Sequence, residues 1–239
     1  MFAIEKRLEL AGEAVKLVRE TVTLELGAVG WGRFVVRGLE GPPGPVAVRF
    51  LAGLRGQGSV LPVLVGVVSE SALTAPGERT LTVREPSALL KLPASFALRH
   101  CTPGEVLAEI EALTGLSFLL PSTGDYLTRR LPHFAAAGSC RAALEAMGPA
   151  WEVPDAVWSG LPDGRVYWGR WGSGPWAGDP IEIDSALVVA REERALVLPA
   201  LPTLRPGVLI EDTAAGTGPV MVNRAIFREG NVRIEWGEV

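Results

Sequence analysis

The hydrophobic period of this 239-residue chain changes twice, and those changes constrain its fold more than any single motif. Through residue 98 apolar and polar residues alternate, as in Glu20-Thr21-Val22-Thr23-Leu24-Glu25-Leu26. A strand with one buried face reads this way because successive side chains point to opposite sides. Beyond residue 99 the spacing becomes helical, with Val106, Leu107, Ile110 and Leu113 on one face. From residue 183 alternation returns, as in Val232-Arg233-Ile234-Glu235-Trp236. The pattern predicts an α+β chain, mainly β: a β-barrel region at 1–98, a small α+β domain at 99–182 and a second β region at 183–239.

Local signals fill in this outline. Leu8 to Leu26 is ambiguous at its start, but Arg33–Arg37, Val46–Phe50, Leu61–Ser69 and Arg79–Glu85 read as short strands, with turns at Gly27–Gly32, Gly41–Pro45 and Ala75-Pro76-Gly77. Thr102-Pro103-Gly104-Glu105 is a capping box with proline at the first helical position, and Gly115 suits the helix end, so a helix is expected at 102–115. A short strand at Leu116–Leu120 and a second helix from Ser139 to before Gly148, burying Ala143, Leu144 and Met147, follow. Trp151, Trp158, Trp168, Trp171 and Trp176 cluster around Pro162-Asp163-Gly164, a hairpin signal between Val157-Trp158 and Val166-Tyr167-Trp168. Ala186–Val189, Ala195–Leu198, Gly207–Glu211, Val220–Phe227 and Val232–Trp236 read as strands, with a connector at Pro199–Pro206 and a turn at Glu229-Gly230-Asn231.

Composition excludes several classes. Hydrophobic residues make up 48% and charged residues 21%, the balance of a packed chain rather than a disordered one. No stretch approaches the roughly 20 apolar residues of a membrane-spanning helix, and Met1–Leu8 mixes charge with apolar residues unlike a signal peptide. A chain made without secretion is expected. The net charge is −4, distributed as about +2, −4 and −2 over the three regions. With only three lysines and no basic cluster, sequence-specific nucleic-acid binding is disfavoured. Two cysteines, Cys101 and Cys140, are too few for a disulfide framework.

Candidate chemistry is sparse. His100, Cys101, His133 and Cys140 are zinc-type ligands, yet their spacing matches no compact finger, and adjacent His100 and Cys101 should face opposite ways on a strand. Cys140 near a helix start could be a nucleophile with His133 as base, but no third group or oxyanion hole is evident. The glycines of Gly53-Leu54-Arg55-Gly56-Gln57-Gly58 suggest a phosphate loop, but strand patterns flank both sides where a helix would be needed. The Trp-rich segment could be a sugar platform or, more in keeping with its lack of a suitable acidic pair, a packing surface. No catalytic, cofactor-binding or metal residue is assigned.

Taken in order, the motifs resemble the bacteriophage tail baseplate hub family, which includes contractile-tail hubs and the base of type VI secretion spikes. Val65-Gly66-Val67-Val68-Ser69 leading to Thr80–Leu90 is similar to the family's strand pair. Thr102–Ile110 with Thr114-Gly115-Leu116 resembles its central helix. Ala142–Met147 and Leu161–Gly169 resemble the second helix and Asp-Gly hairpin, and Leu204–Ile210 the opening of a second barrel. The resemblance implies two tail-tube-like barrel regions flanking the α+β domain with its Trp-rich hairpin. It also implies a non-enzymatic homotrimer in the tail tip, assembled in the host bacterial cytoplasm. Such a hub joins the hexameric tail tube to a spike or tail fibre, contacts other baseplate proteins and a tape-measure protein, and forms the channel for DNA ejection. The alternative is a carbohydrate-binding tail accessory module using the Trp-rich segment.

Overall fold

In the computed structural model, which describes residues 4–56, 60–212 and 216–237, six antiparallel strands come first. They are β1 (Ile4–Leu10), β2 (Glu13–Glu25), β3 (Trp31–Arg37), β4 (Ala47–Leu54), β5 (Leu61–Ala75) and β6 (Glu78–Arg84). Hydrogen bonding runs β1-β4-β5-β6-β3-β2, and β1 also pairs with β2 at Leu8↔Val15, Glu9↔Ala14 and Leu10↔Glu13, so the six strands close into a ring. Alternation sends Leu8, Val22, Phe34, Phe50, Leu64, Leu81 and Val83 inward, and each is at most 1% exposed. Phe34 and Phe50 meet there with ring centroids 5.3 Å apart. The ambiguous opening of the sequence is thus a strand, an Ala11-Gly12 turn with both residues at positive φ, and a second strand.

The chain divides into two compact units by its contacts, Met1–Glu85 with Trp176–Val239, and Pro86–Pro175. These borders differ from the expected ones. β7 (Pro93–Cys101) pairs along its length with β9 (Leu131–Ser139), so its residues lie in the middle unit rather than the first barrel. That ladder escapes the sequence because its faces alternate weakly, Ala135-Ala136-Ala137 offering little contrast. Between them lie α1 (Pro103–Thr114) and β8 (Phe118–Leu119). The capping box is formed: Thr102 N–H donates to Glu105 Oε2 at 2.7 Å, and Glu105 N–H to Thr102 Oγ1 at 3.4 Å. Gly115 ends the helix at φ 71°. α2 (Cys140–Ala150) is capped by Ser139 and runs past the expected stop at Gly148 through Pro149. β10 (Ala156–Gly160) and β11 (Val166–Arg170) form the expected hairpin, with Gly164 at φ 89°.

The last stretch returns to the first unit with β12 (Ile181–Glu182), β13 (Ala190–Glu192), β14 (Ala195–Pro199), β15 (Leu209–Asp212), β16 (Thr217–Arg228) and β17 (Asn231–Trp236). The strand expected at Ala186–Val189 is instead a single 3-10 turn at Ser185–Leu187, fixed by Asp184, whose side chain accepts from the Ala186 N–H at 2.8 Å. Pairing follows β12-β15-β16-β17-β14-β13, again six strands. Among the described residues no main-chain ladder joins the ends of this series. One side-chain contact crosses from the β13 end to the strand next to β12: Arg191 on β13 donates from Nε and Nη2 to both carboxylate oxygens of Asp212 on β15, at 3.0 and 3.3 Å. The two six-strand sets meet where β16 pairs β2 from Arg224↔Glu25 to Arg228↔Thr21, and they share one continuous buried cluster.

Candidate functional site: an assembly surface

The residues with conventional chemistry are dispersed or sealed. Cys101 and Cys140 are buried and unbridged, while His100 and His133 are exposed, so the four do not converge. Among the described residues no three His, Cys, Asp or Glu side chains gather as a metal site. Burial pushes both thiols above their usual range, the opposite of what a nucleophile at a helix start needs. Gly53 and Leu54 end β4 and the chain re-enters a strand at Leu61, so the glycine-rich loop joins strand to strand; Gln57 and Gly58 lie outside the described residues.

The tryptophans serve packing. Trp151, Trp158 and Trp168 are at most 4% exposed. Trp158 sits opposite Trp168 across the β10–β11 ladder. Trp151 stacks on Phe134 at 5.4 Å and donates from Nε1 to the Arg129 carbonyl at 2.9 Å, while the Tyr126 ring meets Trp168 edge-on at 6.0 Å. Sugar stacking needs an open ring face, which these three lack. Trp171 and Trp176 are half-buried, and Trp176 covers Gly207, whose φ of 93° and lack of Cβ let the indole sit against the backbone.

What the fold does expose is sheet. β2 is the central element, since it pairs β3 on one edge and is divided on the other between β1 near its start and β16 near its end. Where β1 departs and β16 arrives, the Glu20 carboxylate, almost wholly buried, accepts from Lys6 Nζ at 2.7 Å and from the Gly230 N–H at 3.2 Å. At the far side Arg205 donates to the carbonyls of Pro62 and Val63 at 3.4 and 2.8 Å, tying the Pro199–Pro206 connector to β5.

The outward faces of β2, β3 and β6 form a wall. Arg19, Arg33, Thr21, Thr74, Thr80, Arg228 and Glu229 line a hollow of about 280 Å³, and Arg33, Thr74 and Thr80 continue into a second, of about 930 Å³, with Trp31, Glu70, Leu73 and Arg84. Leu73, on the projecting end of β5, is 68% exposed. At the other end of the six-strand series, β12 pairs only β15 and β13 only β14 among the described residues, leaving two short edges. Open walls and edges are means of joining chains. No helix among the described residues is long and apolar enough to cross a membrane.

No family model matches the chain. It is 28% identical over 207 residues, 87% of its own length, to an uncharacterized 58.7 kDa protein of Haemophilus phage HP1, of which it spans 38%. Solved structures of the same fold include a 43 kDa tail protein from the MuSo2 prophage of Shewanella oneidensis, with TM-score 0.74, 11% identity and coverage of 99% of this chain and 98% of that one. A tail protein from Neisseria meningitidis gives TM-score 0.70, 11% identity and coverage of 98% and 96%. An Escherichia coli protein gives 0.67 at 13% identity, covering 97% of this chain and 77% of its own. It is described as a type VI secretion component with structural similarity to the T4 tail proteins gp27 and gp5. Shared at such low identity, this is a likeness of architecture, and it agrees with the resemblance read from the motifs: the chain has the fold of these phage tail proteins.

Proposed function

We propose that this chain is a structural component of a phage tail tip, a trimeric hub between a hexameric tail tube and a central spike or fibre that leaves an axial channel for DNA ejection. The observation that carries the reading is the duplication of six-strand sets within one chain, one closed by a ladder and one tied from β13 to β15 by Arg191–Asp212, with β2 belonging to both neighbourhoods. Three chains would present six such sets, the number a threefold-to-sixfold adaptor needs. Function would then lie in the walls and edges rather than in a pocket. The expected partners are tube, spike or fibre, other baseplate proteins and a tape-measure protein, and the expected location is the virion tail after assembly in the bacterial cytoplasm. The sugar-binding alternative is weakened by the burial of Trp151, Trp158 and Trp168.

A reconstruction of assembled tails, with light scattering on concentrated protein, tests the proposal. The expected result is threefold density for this chain on the tail axis. A persistent monomer absent from the axis overturns it.

A further inference from the structure

In the middle unit β7 and β9 run together for nine residues each, and among the described residues neither pairs with any other strand. Which main-chain groups point away from this ribbon follows from one bond. The Cys140 N–H donates to the Leu92 carbonyl at 2.9 Å, which continues the register of Pro93↔Ser139 and makes Leu92 and Cys140 a hydrogen-bonded pair. Such pairs alternate along an antiparallel ladder, so Ala94, Phe96 and Leu98 turn their N–H and C=O groups toward β9. Ser95, Ala97 and Arg99 turn theirs outward. Pro132 stands where His100 would find its next donor, and the Arg130 guanidinium donates to the His100 carbonyl in its place. Nothing comparable reaches Ser95, Ala97 or Arg99: among the described residues their outward groups have no hydrogen-bond partner. A two-stranded sheet gains from a third strand, and an edge is ordinarily blunted by proline or a bulge. β9 is interrupted in this way by Pro132 and by Gly138 at φ 122°, whereas β7 is regular from Ala94 to Arg99.

The side chains along that edge describe what would fit it. Phe96 and Leu98 are half-buried, and the Phe96 ring meets Phe134 with centroids 6.4 Å apart, so the apolar layer under the ribbon stops at β7 with part of these two residues uncovered. On the opposite face Ser95 and Ala97 are exposed and small, which leaves room beside them for larger side chains. Arg99 stands directly opposite His133, both exposed and neither with a hydrogen-bond or ion-pair partner among the described residues; Lys91 is exposed beyond the other end. No acidic residue occurs in 91–101 or 131–139, and the carboxylate that follows, Glu105, is engaged by Thr102 and Arg130. The complement is an extended segment with apolar residues at alternate positions and a carboxylate at the Arg99 end. β7 or β9 of a second copy does not supply it, since neither strand has an acid.

We infer that the outer edge of β7, from Ser95 to Arg99, is a strand-addition site for an extended, acid-ended segment of another protein. Main-chain bonds to Ser95, Ala97 and Arg99 give the affinity, the alternate side chains beside Phe96 and Leu98 fix which face is which, and the charge at Arg99 and His133 sets the register. The partner is sought in the tail because of the function proposed above, whereas the edge is a property of this chain alone.

The test uses the full chain and a short fluorescent peptide of alternating valine and threonine with aspartate at both ends. Its controls carry lysine at both ends or a methyl group on every amide nitrogen. Fluorescence anisotropy is expected to show binding of the aspartate peptide, binding weaker by about tenfold or more for the lysine peptide, and none for the methylated one. Arg99→Ser should cost about tenfold, and Ala97→Pro, which removes one outward donor from an edge position where proline is tolerated, should abolish binding. Circular dichroism checks that both variants fold, and the methylated peptide tests main-chain pairing without altering the protein. No binding of the aspartate peptide, or equal binding of the methylated one, overturns the inference. So does self-association of the parent that Ala97→Pro abolishes, because the edge then belongs to a second copy. In assembled tails the Ser95, Ala97 and Arg99 amides should exchange hydrogen more slowly than in the free chain. Unchanged exchange in tails that carry this chain on their axis overturns the docking edge and leaves the hub reading standing. Peptide binding by a chain absent from the axis removes the hub reading and leaves the edge.

Discussion

Glu20 and Lys6 lie 2.7 Å apart across a gap in the first ring, where β2 has lost β1 as its neighbour and has not yet gained β16. The carboxylate replaces main-chain hydrogen bonds that the diverging strands cannot make, and through the Gly230 N–H it reaches the β16–β17 turn as well. Its side chain is 2% exposed against 27% for Lys6, so removing it strands an amide and an ammonium in a poorly hydrated crevice. Glu20→Ala is expected to cost about 1–3 kcal/mol, and Glu20→Gln less, because an amide oxygen can still accept from Gly230. Urea denaturation of the two variants checks the order; equal stability of parent and Glu20→Ala would refute it.

The second set of strands depends on a different bond. Asp212 is 3% exposed and receives both Arg191 hydrogen bonds. Arg191→Ala should loosen Ala190–Val197 and expose Leu209–Asp212 without unfolding the first ring. Hydrogen exchange by mass spectrometry is expected to quicken in those two stretches and stay unchanged in β3 and β6. Acceleration spread evenly over the chain would show that the pair is not a local closure.

A helix cap makes the middle unit acid-sensitive. The Glu105 carboxyl is held below its ordinary range, chiefly by the Thr102 N–H and further by Arg130. A carboxylate with a lower pKa folded than unfolded stabilises the fold above its unfolded pKa and loses that contribution as pH falls through the folded one. Acid unfolding should therefore become less steep in Glu105→Gln. Thr102→Ala is expected to lose about 1 kcal/mol at neutral pH. Thermal melts of the variants at several pH values test both statements.

Gly66 has a steric reason to be glycine. A Cβ there would lie 2.3 Å from the Arg84 carbonyl oxygen, a main-chain atom in the adjoining ladder that has little freedom to move. Gly66→Ala is expected to destabilise by about 1–3 kcal/mol, whereas Gly44→Ala, which meets nothing within 4 Å, should be nearly neutral. A comparison of their melting temperatures decides the point.

Thiol labelling separates structural from reactive cysteines. Cys101 and Cys140 are at most 2% exposed with pKa values raised by burial, so both should resist an aromatic disulfide reagent at neutral pH and react together on unfolding. Rapid labelling of Cys140 alone in the native chain would revive it as a nucleophile.

Much of the β architecture was legible because a buried face imposes strict alternation: Val22, Leu24, Phe34, Val36, Leu81 and Val83 could be assigned to the interior from spacing alone. The α1 cap was legible because Thr102, Pro103 and Glu105 each answer a specific unsatisfied group at a helix start. β7 and β9 were not, since alanine-rich strands carry little contrast between faces, and neither was the 3-10 turn at Ser185, where one Asp184 hydrogen bond outweighs β propensity. The gathering of Arg19, Arg33 and Arg84 along the two hollows of the wall was invisible for another reason. Arg19, Arg33 and Arg84 are separated by 14 and 51 residues, and only the register of three strands brings them to one surface.

Because β2 serves both sets of strands, the chain cannot be cut between them. Removing Trp176–Val239 would bare the edge of β2 from Thr21 to Glu25 and half of the shared apolar cluster, while the later strands alone would lack the neighbour that β16 uses. Strain applied to one set is therefore carried into the other by a continuous strand loaded along its axis, with no flexible joint to absorb it. A pull on one set thus reaches the other through the five-residue β16–β2 ladder, where the bonds share the load side by side rather than opening one at a time.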